Sequence, residues 1–234
     1  MKRKTDKVYI VSELHPQHGG DIDVIETMIL QSKMGGANAV KLQLYTSQLL
    51  FGDDRKEYAN ITFHELEHLF DYANRHGIDL FASVFDEEKL EWGERLGFLR
   101  YKIASRTFED HDLCEKIIKT DKPVYISNGL NQDDFRYNSK NVSYIYCVPE
   151  YPTLLGKIKM PYFPKSVYEG YSDHSNGLTA SITSIVNGAM YLEKHFTLSH
   201  SLQSVNEKGH LGAMDFKQLC FLRKFCDDYV LMRR

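Results

Sequence analysis

Eight runs rich in Val, Ile, Tyr and Phe recur along the chain, at 8–14, 39–45, 79–85, 99–104, 123–129, 142–148, 167–174 and 190–197, with helical patterns between them. Strands alternating with helices imply parallel pairing, because parallel neighbours cannot be joined by a tight hairpin and need a crossover. Eight such units close on themselves as a (β/α)8 barrel. That fold typically takes about 250 residues, so 234 residues make nearly a bare barrel, one α/β domain spanning 1–234. An open doubly wound sheet is the competing arrangement. Against it, no Gly-x-Gly-x-x-Gly follows the first strand run, and Gly19-Gly20 is only a glycine pair before a helix.

The helical patterns carry start and stop signals. Val24, Ile25, Met28 and Ile29 share one face of a first helix that stops at Gly35-Gly36. Thr62 and Glu65 have the spacing of a capping box for a helix running through Leu66, Leu69 and Tyr72 toward Gly77. Asp215 can cap the last helix, which continues almost to Arg234. Residues 47–60 are too long for an ordinary βα connection and are expected on the catalytic rim as a lid.

A formal net charge of −3, a pI near 6.4 and dispersed Lys and Arg leave no footprint for nucleic acid, and the basic start at Met1–Lys4 reads as a solvated tail. No apolar run approaches the roughly 20 residues that span a bilayer, and no signal-peptide apolar segment follows the basic start, so a cytoplasmic protein is expected. Cys114, Cys147, Cys220 and Cys226 lack paired spacing and read as reduced core thiols.

On a barrel, residues at strand C-termini converge on one rim. Here those positions hold Glu13, Lys41, Gln43, Ser83, Lys102, Ser105, Ser127, Asn128, Tyr151, Ser172, Asp173, His174, Glu193, Lys194 and His195. Buried strand ends do not tolerate three lysines unless each has a partner, and phosphate or carboxylate groups are the obvious ones. Several lysines with several hydroxyls suit a small dianion. The plainer alternative is a barrel carboxylate for each lysine. It is as good a reading as function for Lys194, since Glu193 and Lys194 face opposite ways on one strand. His174 and His195 close adjacent strand runs and would project from the same rim as a two-imidazole metal site, although a lone histidine at a strand end is more often a hydrogen-bonded structural residue.

Seven motifs in order then bring a family into view: Ser12-Glu13 with His18-Gly19-Gly20, Val40-Lys41-Leu42-Gln43, Lys102-Ile103-Ala104-Ser105, Ile126-Ser127-Asn128-Gly129, 147–153, Tyr171-Ser172-Asp173-His174, and 192–197. The chain resembles the N-acetylneuraminate (sialic acid) synthases and their relatives over nearly its whole length. The resemblance implies condensation of phosphoenolpyruvate with an aldose, dependent on a divalent metal, Mn2+ or Mg2+. It implies that His174 and His195 bind the metal and that Lys41, Ser83, Lys102, Ser105, Ser127 and Ser172 hold phosphoenolpyruvate. Ser83 stands where the family has threonine, which keeps the hydroxyl. Glu13, Gln43 and Tyr151 match positions near the acceptor sugar and the reacting carbons. Glu13, with Lys41 and Lys102, is expected to act in the chemistry.

Three departures fall on the acceptor side. Thr107 stands where the synthases often have an acidic residue, Pro149 replaces a hydrogen-bonding Asn or Ser, and Asn206 replaces an Asp that binds the sugar. The resemblance further implies a small antifreeze-like domain, supplied within a swapped homodimer or by a separate partner chain, which lends an arginine to the sugar site; the barrel read here is expected to lack that domain. N-acetylmannosamine is therefore expected to be a poor acceptor. The alternative to an active synthase is a catalytically weak barrel that binds a phosphorylated ligand or serves as a subunit of a biosynthetic complex. Retention of both histidines and of the lysine and serine set favours the active enzyme.

Overall fold

The computed structural model describes residues 7–131, 133–202 and 211–233. The basic start and Asn206 lie outside these. Eight strands, β1 (Tyr9–Glu13), β2 (Ala39–Leu44), β3 (Asp79–Val84), β4 (Tyr101–Ile103), β5 (Val124–Ser127), β6 (Val142–Cys147), β7 (Tyr168–Asp173) and β8 (Tyr191–His195), pair in sequence order. All pairs are parallel, and β8 pairs with β1, so the barrel is closed. Closure leaves the barrel sheet no edge strand.

Seven α-helices occur among the described residues: α1 (Ile22–Met34), α2 (Ser47–Phe51), α3 (Phe63–Arg75), α4 (Glu87–Leu96), α5 (His111–Lys119), α6 (Thr179–Val186) and α7 (Phe216–Met232). Asp21 caps α1 by accepting the Val24 N–H, and Gly36 takes the left-handed backbone that ends it. Both expected caps form. Thr62 and Glu65 bond reciprocally at α3, and Asp215 does the same with Gln218 at α7. The inner faces, such as Ile25, Met28 and Ile29 on α1 and Leu219, Leu222 and Cys226 on α7, bury against outward strand residues including Ile10, Val40, Leu42 and Leu192.

The alternation differs from the expectation in two places. No α-helix is described between β5 and β6, and β6 and β7 are linked by two 3-10 turns, Leu155–Lys157 and Phe163–Lys165. Pro149, Pro152, Pro161 and Pro164 crowd the second link and remove the amide donors a helix needs, while the first is dominated by Asn, Asp and Ser. Among the described residues, no helix is long and apolar enough to cross a membrane. The four cysteines are free thiols, three of them buried.

Inside the barrel, period-two alternation stacks the side chains in layers. At the N-terminal end Arg100 bonds Asp79 at 2.5 Å and the Tyr125 hydroxyl at 3.2 Å, closing the bottom. Above this, Tyr9, Tyr125 and Tyr191 lie ring against ring, with centroids 4.5–6.5 Å apart. This aromatic floor separates the bottom from a polar upper layer. β7 approaches β8 so closely that a β-carbon on Gly170 would sit 2.1 Å from the Tyr191 carbonyl oxygen, so only glycine fits there.

Candidate active site

The upper layer opens at the C-terminal mouth into a cavity of about 450 Å³. Eleven residues given functional roles from the sequence line it: Glu13, Lys41, Gln43, Ser83, Lys102, Ser105, Ser127, Tyr151, Ser172, His174 and His195. Thr107, in the 3-10 turn after β4, is buried away from that lining, whereas Pro149 belongs to it.

Glu193 organises the floor of the cavity. Its carboxylate accepts from Lys102 Nζ at 2.8 Å, Tyr191 Oη at 2.6 Å and Ser172 Oγ at 3.3 Å, and lies 3.5 Å from Lys41 Nζ. Lys41 also donates to Glu13 and, at 3.0 Å, to Ser83 Oγ. Gln43 Nε2 and the His15 backbone N–H complete the shell of Glu13 at 3.3 and 2.9 Å. Burial would push the Glu193 carboxyl up, but Lys102 and Lys41 outweigh it and hold the group well below the usual carboxylate range. Glu13 goes the other way: burial, reinforced by the charge on Glu193, raises it despite Lys41. Burial also lowers Lys102 even beside Glu193, while at Lys41 two carboxylates overcome burial and raise it. Two carboxylates of opposite character thus share the Lys41 ammonium, while Lys102 pairs with Glu193.

The strand alternation explains the two C-terminal motifs. Ser172 and His174 point into the cavity, as do Glu193 and His195; Asp173 and Lys194 point out. Lys194 Nζ bonds Asp173 at 3.0 Å and the Ser175 carbonyl at 2.7 Å, and Asp173 also accepts from Ser175 and Ser181. Lys194 is therefore structural, pinning β7 to β8 and α6. The same register brings the rings of His174 and His195 to 5.9 Å between centroids, with Tyr151 tilted against His174 at 4.1 Å. His174 Nδ1–H donates to the Val148 carbonyl at 2.9 Å, which leaves the lone pair on Nε2, and burial drops its pKa to about 4. It is thus neutral, as ligation requires. His195 Nδ1 faces Gln17 Oε1 at 3.2 Å. Two imidazoles in one mouth are a donor set suited to a divalent cation.

Residues 47–60 fold compactly. Ser47 N–H bonds Asn60 Oδ1, Ser47 Oγ donates to the Asp53 carbonyl, and the segment packs on Gly20, where a β-carbon would strike the Tyr58 carbonyl. Phe51 and Lys56 of this segment line the cavity, and Arg106 joins them with its guanidinium 5.1 Å from the Phe51 ring centroid. Sequence reasoning placed Glu193 on the rim without giving it a role, and missed Arg106, Lys56 and Gln17. Glu193 was within reach, because a residue two before an inward histidine on a strand also points inward. Arg106 and Lys56 sit on connections, which carry no periodic signal.

A buried charge network and a histidine pair at the C-terminal mouth of a closed parallel barrel define a (β/α)8-barrel enzyme. The class narrows with comparison to known proteins. The NeuB family model matches residues 28–224, and the chain belongs to the NeuB family; it is an N-acetylneuraminate synthase-like enzyme. The pseudaminic acid synthase of Campylobacter jejuni is 29% identical over 246 residues, covering 91% of this chain and 72% of that one. The pseudaminic acid synthase of Helicobacter pylori is 30% identical, covering 90% and 72%. In fold, a solved sialic acid synthetase from Leptospira borgpetersenii superposes with a TM-score of 0.89 over 97% of this chain and 85% of that one, at 24% identity.

Proposed function

We propose that this enzyme condenses phosphoenolpyruvate with the open-chain aldehyde of a sugar, giving a 3-deoxy-2-keto sugar acid and inorganic phosphate, with a divalent metal, Mn2+ or Mg2+, as cofactor. One observation carries the reading: two buried lysines, four serine hydroxyls, two carboxylates and two facing imidazoles line a single cavity. Lys41 and Lys102 offer charge, and Ser83, Ser105, Ser127 and Ser172 offer orientable donors, to the phosphate and carboxylate of phosphoenolpyruvate. Both lysines are already engaged with carboxylates, so the site is held open against self-repulsion until the anion arrives.

The enol C3 forms a bond to the aldehyde carbon, whose oxygen takes a proton to become a hydroxyl. Water then adds at C2, and the C2–O bond to phosphorus's oxygen breaks as inorganic phosphate leaves with the electron pair, giving the ketone. Glu13, the more basic of the two carboxylates, orients that water and takes its proton. A cation held by His174 and His195 would supply Lewis-acid polarisation of the aldehyde. Gln43, Tyr151 and Asn206 are assigned to the acceptor. Pro149, which offers no amide hydrogen, and Asn206 in place of an acid weaken recognition of N-acetylmannosamine, each lost polar contact costing about 1–3 kcal/mol.

The test is incubation with phosphoenolpyruvate, Mn2+ and a panel of aldoses that includes N-acetylmannosamine, following phosphate release and product mass. The expected result is phosphate release matched by a keto acid of aldose plus three carbons, abolished by chelation and in His174→Ala, and slow with N-acetylmannosamine. Absence of product with every aldose, although phosphoenolpyruvate binds, would favour the non-catalytic barrel instead.

A further inference from the structure

Gln17 lies in the β1–α1 connection, outside every strand end, yet its side chain reaches the barrel mouth and meets His195. A carboxamide oxygen can only accept, so a 3.2 Å contact from Gln17 Oε1 to His195 Nδ1 requires the proton on Nδ1, which in the neutral ring that ligates a metal leaves the lone pair on Nε2. His174 has the same tautomer, set by the Val148 carbonyl. Both imidazoles therefore present Nε2, each fixed from behind by an oxygen on a connecting loop. We propose that Gln17 is a positioning residue that sets the tautomer and ring orientation of His195 for metal binding, an inference that rests on the metal reading above.

The connection is built to hold that side chain still. The Gly20 N–H donates to His18 Nδ1 at 3.0 Å, so His18 carries its proton on Nε2 and donates it to His15 Nδ1 at 3.1 Å. His15 Nε2 then carries a proton toward the Tyr45 hydroxyl at 2.8 Å, just beyond β2. This one-way chain of bonds brackets Gln17 on both sides and ties it to the neighbouring strand. His15 N–H, in the same turn, holds Glu13 Oε1. One short segment thus orients both the general base and one metal ligand. The Gln17 amide nitrogen is buried with no hydrogen-bond partner among the described residues, a donor left over that a purely structural glutamine would have satisfied.

Mn2+ affinity measured by calorimetry without substrate, on the full chain, tests this. Gln17→Leu should weaken Mn2+ binding 10–100-fold, the range expected for loss of a group that orients a histidine ligand. Gln17→Glu, which keeps an acceptor oxygen at the same reach, should return it to within about threefold. Phosphoenolpyruvate binding in EDTA and the thermal midpoint report whether either variant is merely unfolded, and both should stay near wild type. Equal Mn2+ affinity in wild type and Gln17→Leu overturns the inference, as does equal weakening in both variants, which marks a structural role. If wild type takes up no Mn2+, or His174→Ala and His195→Ala bind it as wild type does, the metal reading itself falls and the positioning role with it.

Discussion

Lys102 and Lys194 are both buried, both at the ends of barrel strands and both bonded to a carboxylate, but they face opposite sides of the sheet. Their substitutions should separate cleanly. Lys194→Met strands the fully buried Asp173 carboxylate and is expected to cost about 3–5 kcal/mol in denaturant unfolding, while the protein that remains folded binds phosphoenolpyruvate with unchanged Kd. Lys102→Met removes the charged contact proposed for phosphoenolpyruvate, worth about 1.5–3 kcal/mol, so phosphoenolpyruvate affinity should fall roughly 10- to 150-fold. Glu193→Gln affects both properties. It leaves Lys41 and Lys102 without their shared counter-charge, and a loss of about 3–5 kcal/mol of stability is expected, readable in urea titration together with loss of turnover.

Among elements, the contact of β7 with β8 matters most to the site, because it sets the facing of His174 and His195. Gly170 allows that contact. Gly170→Ala must move the strands apart, since its β-carbon would also lie 2.6 Å from the Tyr191 β-carbon. Overpacking of this kind costs about 1–3 kcal/mol, roughly 2–12 °C in Tm for a chain of this size. Mn2+ affinity should fall in the same variant, with the phosphoenolpyruvate Kd in EDTA much less affected. A Tm loss with intact Mn2+ binding would show that the imidazole pair tolerates the shift. The elements also show what could be read locally. Strand runs and caps were legible because period-two alternation and capping boxes depend on neighbours in sequence. The two links without α-helices were not, because connection length hid the effect of four prolines in one and of Asn, Asp and Ser in the other until the flanking strands were placed.

For the whole molecule, pH acts through groups the fold buries. Burial holds His18 at about 4 against an ordinary value of 6.5. Below pH 6.5 the unfolded chain takes up a proton there that the folded chain refuses, so stability falls as pH drops from 6.5 toward 4. The slope from this residue is about 1.4 kcal/mol per pH unit. Denaturant unfolding across that window should show it, and His18→Gln should flatten the profile by that amount; an unchanged slope would mean His18 is protonated in the fold.

The linear order of residues by itself determined the barrel, because eight alternating segments of this length have one economical closure, and it brought eleven candidate residues to one cavity, because strand C-termini of a parallel barrel share a rim. It did not determine which charge meets which. That Glu193 holds Lys41 and Lys102, that Lys194 belongs to Asp173 and that Gln17 reaches His195 across 178 positions follow from the register of β8 against β7 and β1. Register in a closed barrel is a property of all eight strands at once, so only the tertiary structure decides it.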